Sequence, residues 1–160
     1  MDYYSVGYLK SDPKARYQGY LYYFREGFCW SLINGTRSEN DLKFRISSRG
    51  VNDVGGMSLS SLLLVVPEYY IVCLGNSNFM SRYTEAFVNF TVNFQVNDAR
   101  QIPIIIPTEK ELEEFEELFN LAFETKKVAT DKKILSDKSE NQLLEIQERL
   151  DTMVNELYRV

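Results

Sequence analysis

Histidine is absent from this chain of 160 residues. It is the commonest general base and the commonest transition-metal ligand, so its absence excludes a histidine-dependent nucleophile triad and histidine metal sites. The two cysteines, Cys29 and Cys73, are too few for a structural zinc site. A disulfide between them is one alternative, but buried thiols are more usual in a cytosolic chain of this size. We therefore expect two buried thiols, no catalytic centre and no bound metal in this chain.

Long apolar runs are also missing. The longest uninterrupted run, Leu62–Val66, has the length of a strand, whereas a membrane-spanning helix needs about 18 apolar residues or more. The first residues, Met1 to Tyr4, lack the charged and then apolar pattern of a signal peptide. The sequence therefore predicts a cytoplasmic protein with no membrane contact.

The net charge of −5 is unevenly distributed along the chain. Residues 1–100 hold ten Lys plus Arg and nine Asp plus Glu, a sum of +1, whereas residues 101–160 hold eight and fourteen, a sum of −6. Residues 1–50 hold eight basic and five acidic side chains. A locally positive surface in the N-terminal part is therefore compatible with the acidic total.

Turn residues and apolar alternation predict a mixed body over the first two thirds of the chain. Asn34-Gly35 is the strongest hairpin signal, and Pro67 and Gly75 are placed to start and end a short helix. Strands are predicted over residues 20–24, 28–33, 42–46, 57–66 and 89–97, an edge strand over 102–107, and helices over 67–75 and 78–88.

No glycine or proline follows Pro107, so the last third of the chain is predicted to be helical. Thr108 and Glu111 have the spacing of a capping box, and a break is expected between Thr130 and Ser139. The last helix carries a coiled-coil seam at Leu143, Ile146, Leu150, Met153 and Leu157. We predict an α+β fold: a mixed sheet with short helices over residues 1–107, followed by a two-helix hairpin over residues 108–160.

Basic residues alternate with apolar ones in the predicted strand over 42–46. Lys43 and Arg45 would share one exposed face, with Arg49 just beyond and Arg37 in the preceding loop. Such cations are suited to DNA phosphates or to bidentate contacts with guanine. The alternative is an ordinary solvated strand face.

A polar ladder occupies the predicted strand over 89–97. Its amide and hydroxyl groups could pair with adenine in the major groove; a solvated face is again the alternative. The ladder consists of Asn89, Thr91, Asn93 and Gln95, with Arg100 just beyond it. Asn34, at the hairpin turn, is a weaker candidate of the same kind.

Three other features have plain structural explanations. Trp30 could stack on a base, but a single tryptophan in an aromatic strand usually belongs to the core. Gly55-Gly56 is not followed by the lysine or helix start of a phosphate loop, so a bend is expected. The carboxylates from Glu109 to Glu117 are typical of a solvated helix face.

Several stretches, in this order and spacing, resemble the TaqI-like specificity domain found at the C-terminus of adenine-specific DNA methyltransferases of restriction-modification systems. Tyr22–Ser31 is similar to the aromatic, acidic, glycine, tryptophan and serine signature of that family. Arg49–Leu59 is similar to its glycine-rich bend, and Phe94–Pro107 to the join between its recognition body and the following helix. Leu150–Tyr158 is similar to its terminal helix.

The resemblance implies a non-catalytic domain that reads double-stranded DNA for a methyltransferase. The family's Asn/Asp-Pro-Pro-Tyr/Phe loop and glycine-rich cofactor loop do not occur in this sequence. S-adenosylmethionine is therefore expected only in a separate catalytic domain, in cis or in trans. The leucine seam supports an alternative function of a different class. In this alternative the chain is a protein-assembly module that acts through its C-terminal helices, for example by forming a homodimer.

Overall fold

The computed structural model describes residues 7, 10–14, 20–31, 42–47, 49–50, 56–61, 65–89, 91, 93–131 and 137–160. Within these ranges, a small antiparallel sheet is combined with several helices, which confirms the predicted α+β class. The strands are β1 (Gly27–Ser31), β2 (Arg45–Ser47) and β3 (Gly56–Leu59). The helices are α1 (Glu68–Gly75), α2 (Asn78–Tyr83), α3 (Val96–Ala99), α4 (Glu109–Asp131) and α5 (Asp137–Tyr158), with a 3₁₀ turn at Tyr20–Tyr22 and a π-helix at Thr84–Val88.

The sheet has the order β2-β1-β3, with both neighbours antiparallel to β1. Since β1 is central and four of its five residues are buried, it has the continuous apolar character of a covered strand. Gly27 begins it because β3 approaches there: an added Cβ would lie 2.3 Å from the Leu59 carbonyl oxygen. The predicted strands at 28–33 and 57–66 are confirmed over Phe28–Ser31 and Met57–Leu59, and residues 32–33 and 62–64 lie outside the described residues.

Aromatic side chains fill the core beside β1. The fully buried Trp30 packs its ring on Phe44, with centroids 5.2 Å apart, and meets Phe94 edge-on at 5.8 Å. Its indole Nε1–H donates to the Phe94 carbonyl oxygen at 2.9 Å, so the polar end of the ring is also satisfied. Trp30 is therefore a core residue and not a base-stacking platform.

Helices α1 and α2 follow their sequence signals. Helix α1 begins after Pro67 and ends at Gly75, as predicted. Ser77 caps α2, since its Oγ accepts from the Met80 N–H at 3.2 Å. The helix predicted over 78–88 is confirmed in extent, although its last five residues, Thr84–Val88, form a π-helix.

The strands predicted over 20–24 and 102–107 are wrong. The aromatic run at 20–24 contains the 3₁₀ turn Tyr20–Tyr22. The segment 102–107 has no regular secondary structure. Two of its backbone carbonyls accept hydrogen bonds from tyrosine hydroxyls and not from a neighbouring strand: Tyr70 donates to Ile105, and Tyr158 donates to Pro103. Burial raises the pKa of both hydroxyls, that of Tyr158 to about 12, so both remain protonated donors at neutral pH.

The helices α4 and α5 pack against each other and on the body. The core cluster includes Phe115 and Leu118 from α4, Ile146 from α5, and buried residues of the sheet and α1. The Asp151 carboxylate adds a polar link, since it accepts from the backbone N–H of Asn78 at 2.7 Å. No helix in the described ranges is both long and apolar enough to cross a membrane.

The predicted capping box at the start of α4 is confirmed. The Glu111 carboxylate accepts from the Thr108 N–H at 2.6 Å and from its hydroxyl at 2.8 Å, while the Glu111 N–H donates back to Thr108 Oγ1 at 3.3 Å. These hydrogen bonds to the charged form lower the pKa of Glu111. The ionised carboxylate therefore stabilises the fold more than the protonated carboxyl group does.

We expect Glu111→Gln to lower the free energy of unfolding at pH 7 by about 0.3–1 kcal/mol, because the amide oxygen still accepts from Thr108 but the negative charge at the helix N-terminus is lost. Because the folded pKa is depressed, the stabilisation is present above the unfolded value of about 4.3 and is lost as the pH falls through the folded pKa. Urea unfolding of both proteins between pH 7 and pH 3 measures this. Glu113→Gln is the matched control, and a Glu111→Gln deficit that stays constant down to pH 3 would contradict the assignment.

Candidate functional site

Three exposed cations lie along the β2 edge of the sheet. Arg45 is opposite Cys29 in the β1 pairing, and the same register continues beyond β2, where the Phe24 N–H donates to the Gly50 carbonyl at 2.9 Å. Arg49 therefore lies on the line of the same edge, and Lys43 immediately precedes Phe44 and Arg45. We call Lys43, Arg45 and Arg49 the basic edge.

The basic edge is attached to the body by an amide clamp. The Asn76 side chain accepts from the Phe44 N–H at 2.7 Å and donates to the Phe44 carbonyl at 2.8 Å. It thus pairs with Phe44 as a neighbouring strand would. The clamp fixes the backbone between Lys43 and Arg45, and the buried Phe44 ring anchors it in the aromatic core.

Lys43 has φ of 46°, a left-handed conformation that is costly for a side chain with Cβ. The amide clamp on the next residue helps to hold this conformation. The left-handed backbone of Lys43 also explains why the predicted strand over 42–46 is only partly correct. Leu42 and Phe44 are buried as predicted. Strand β2, however, begins only at Arg45, and Ile46 is 41% exposed where the alternation predicts burial.

Both arginines of the basic edge make one contact through Nε. Arg45 Nε lies 3.2 Å from Cys29 Sγ, and Arg49 Nε lies 2.9 Å from Glu26 Oε1. The Arg49–Glu26 pair is largely solvent-exposed, so it contributes only about 0–1 kcal/mol and is easily exchanged for another anion. A guanidinium has five N–H donors, and its terminal nitrogens can therefore bind a second group.

The polar ladder predicted over 89–97 is wrong as a strand. Gln95 is the N-cap of helix α3, and its backbone N–H donates to Asp98 at 2.8 Å. The Asn89 amide donates to the Asn93 carbonyl and to Asp98, and the Thr91 hydroxyl donates to Asn89 Oδ1. These side chains form a hydrogen-bonded polar turn because Asn, Thr and Asp compete with strand pairing through local bonds.

The basic edge and helix α3, which follows the polar turn, lie at opposite edges of the sheet. Helix α3 packs against β3, whereas the basic edge belongs to β2, and the two strands flank β1. The two segments are nevertheless linked through the core, because the ring centroids of Phe94 and Phe44 are 6.2 Å apart. Arg100, exposed after α3, contacts Asn97 Oδ1 at 3.4 Å through Nη1. The candidates Asn34 and Arg37 lie outside the described residues.

Sequence reasoning missed the amide clamp, since nothing in the spacing connects Asn76 with a residue 32 positions earlier. It anticipated the state of the thiols correctly: Cys29 and Cys73 are free and buried. Burial raises the pKa of Cys73 to about 12, which makes this thiol unreactive at neutral pH. Over the described ranges there is no group of three His, Cys, Asp or Glu side chains able to hold a metal ion.

No family model matches the chain, and a search of curated proteins finds no match either.

Proposed function

We propose that the chain is a DNA target-recognition domain that works with the catalytic domain of an adenine methyltransferase, present in cis or in trans. The observation that carries the proposal is the basic edge: three exposed cations between residues 43 and 49, in strand β2 and on either side of it, with the neighbouring Phe44 held by the amide clamp. Cations in such an array neutralise successive phosphates and release counterions.

Phosphate contacts position a protein on DNA, whereas base contacts specify the sequence. In this proposal Lys43 and Arg49 contact the backbone, and Arg45, on β2 itself, is the candidate for a base edge. Strands are known to enter the major groove as ribbons. The polar turn, with Arg100 beside it, contributes from the other side of the sheet. S-adenosylmethionine and the flipped adenine belong to the catalytic domain.

Arg45→Ala and Arg49→Ala are each expected to weaken duplex binding about tenfold, or ~1.4 kcal/mol. Fluorescence anisotropy with a labelled duplex library at low salt measures this. Glu26→Gln is expected to act in the opposite direction and tighten binding, because Arg49 loses its internal carboxylate partner.

The matched control is Lys126→Ala, which removes an exposed cation from α4, away from the sheet. It should leave affinity unchanged within about twofold. Folded Arg45→Ala and Arg49→Ala variants that bind as tightly as the parent would contradict the proposal. Replacing the recognition segment of a related methyltransferase with this chain tests specificity, because the methylated sequence should change.

A second candidate, a protein-assembly module, is favoured by apolar side chains left exposed on the helical hairpin. Helix α4 contacts the body in its first half, through Phe115 and Phe119, and α5 contacts it from Ile146 onward, through Gln147 and Asp151 among others. The remaining halves carry the exposed residues Leu121, Phe123, Val128 and Leu144. Light scattering with and without DNA distinguishes the two candidate functions. A molecular mass that rises to that of a dimer with protein concentration, and that DNA does not change, would favour the assembly module.

A further inference from the structure

A cleft of about 340 Å³ opens where β2, α1 and α4 meet. This volume is at the lower end of the range for small-molecule sites. Its lining includes Ile46 from β2, Glu68 and Tyr69 from α1, and Phe119 from α4, with Glu26 from the segment before β1. The basic edge is adjacent, but none of its three cations belongs to this lining.

The walls of the cleft are aromatic and aliphatic. The rings of Tyr69 and Phe119 have centroids 6.1 Å apart at 39°, and Phe119 stacks in turn on Phe123 at 6.1 Å and 20°. Phe123 is 53% exposed, so this row of three rings runs from the cleft into solvent. Ile46 is also half exposed at the opposite wall. A ligand with an apolar stem would cover this surface and remove it from water.

The charged groups of the cleft lining are anionic. Glu26 and Glu68 line it, and Glu68 is held in place because its Oε1 accepts from the Ser61 N–H at 3.1 Å. Glu116 is close enough to act on Tyr69. The pKa of the Tyr69 hydroxyl is raised mainly by burial and secondly by the Glu116 carboxylate. Among the described lining residues no Lys or Arg balances these charges. The Glu26 carboxylate already binds one guanidinium, that of Arg49, at 2.9 Å.

Aromatic faces attract cations, and carboxylates pair with them, so the two features select the same ligand. We propose that the cleft binds an organic cation, an ammonium or guanidinium group on an apolar stem. The stem packs between Ile46 and the ring of Phe119, and the cation meets Glu26 and Glu68. This site adjoins the proposed DNA surface, because Glu26 is also the partner of Arg49, but its lining contains none of the three cations of the basic edge. Its occupant is either a basic side chain of a partner polypeptide or a free amine.

The test is a titration of the full chain with phenethylammonium, followed by NMR of the Ile46 methyl groups and the Phe119 ring. We expect saturable shifts at both residues with a millimolar Kd. The neutral 2-phenylethanol and the anionic 3-phenylpropanoate, which share the ring, should bind at least threefold more weakly. Capped arginine (N-acetyl-arginine-methylamide) distinguishes the sources: comparable binding indicates a polypeptide ligand, and binding of phenethylammonium alone indicates a free amine.

Glu68→Gln keeps an oxygen acceptor for Ser61 and removes the charge, so it should reduce phenethylammonium affinity at least threefold and leave 2-phenylethanol unaffected. Glu117→Gln, an exposed carboxylate on another face of α4, is the control and should change neither. Equal binding of the neutral and cationic probes, an unaltered Glu68→Gln affinity, or no shifts at Ile46 and Phe119 would overturn the proposal. None of these measurements involves DNA. A negative result for the cation site therefore does not contradict the proposed DNA binding, and a negative DNA-binding result does not contradict the cation site.

Discussion

Trp30→Ala is expected to lower the free energy of unfolding by about 3–5 kcal/mol, a large fraction of the 5–15 kcal/mol that stabilises a typical domain. The side chain is fully buried and contacts the rings of Phe28, Phe44 and Phe94. Its removal leaves a cavity that these rings cannot fill without losing their own contacts. The buried Phe94 carbonyl also loses its donor, which adds an unsatisfied acceptor.

Trp30→Phe separates the two contributions. It retains most of the buried ring but not the indole N–H, so we expect a loss of only about 1–3 kcal/mol. Urea denaturation followed by far-UV circular dichroism gives both values. A Trp30→Ala loss below about 1 kcal/mol would show that the indole is not packed in the core.

Gly75→Ala is expected to destabilise the protein by about 3 kcal/mol, although alanine in place of glycine inside an exposed helix normally stabilises it by about 1 kcal/mol. The reason is the Phe44 ring, which passes over the last turn of α1: an added Cβ would lie 2.2 Å from Phe44 Cδ2. The ring cannot retreat, because Trp30 and Phe28 hold it on the other side. Steric overlap therefore outweighs helix propensity.

Gly7→Ala provides the control, since a Cβ there would meet nothing within 4 Å. Its unfolding free energy should match that of the parent or exceed it slightly. If Gly75→Ala proved as stable as Gly7→Ala, the close approach of Phe44 to α1 would be refuted. The amide clamp of Asn76 binds the backbone of Phe44. A displaced Phe44 should therefore shift Lys43 and Arg45, and we expect Gly75→Ala to weaken DNA binding as well.

Local signals predicted α1, α2, α4 and α5 but not α3, which begins inside the strand predicted over 89–97. Pro67, Gly75 and the Thr108–Glu111 capping box mark boundaries that the structure confirms, because caps depend on residues a few positions apart. The seam of α5 was also informative: Ile146 and Leu150 are buried against the body. The strands were harder. Alternation at 89–97 was misleading because Asn89, Thr91 and Asp98 satisfy one another within the turn.

The candidate site was only partly predictable for the same reason. Exposure of Lys43 and Arg45 follows from their alternation with Leu42 and Phe44, and the structure agrees. The left-handed backbone of Lys43 and its support by Asn76 depend on a contact between distant segments, which periodicity cannot reveal. The cleft beside Ile46 likewise arises where three separate elements meet.

The most direct test of the central claim, that the basic edge binds DNA, is the salt dependence of duplex affinity for the parent and for the triple variant Lys43→Gly, Arg45→Ala, Arg49→Ala. Glycine is chosen at position 43 because it accepts the left-handed backbone without strain. We predict that log Kd rises steeply with log salt for the parent, and that the slope of the triple variant is lower by about 2, one for each of the phosphate contacts of Lys43 and Arg49. An unchanged slope in a folded triple variant would contradict the account.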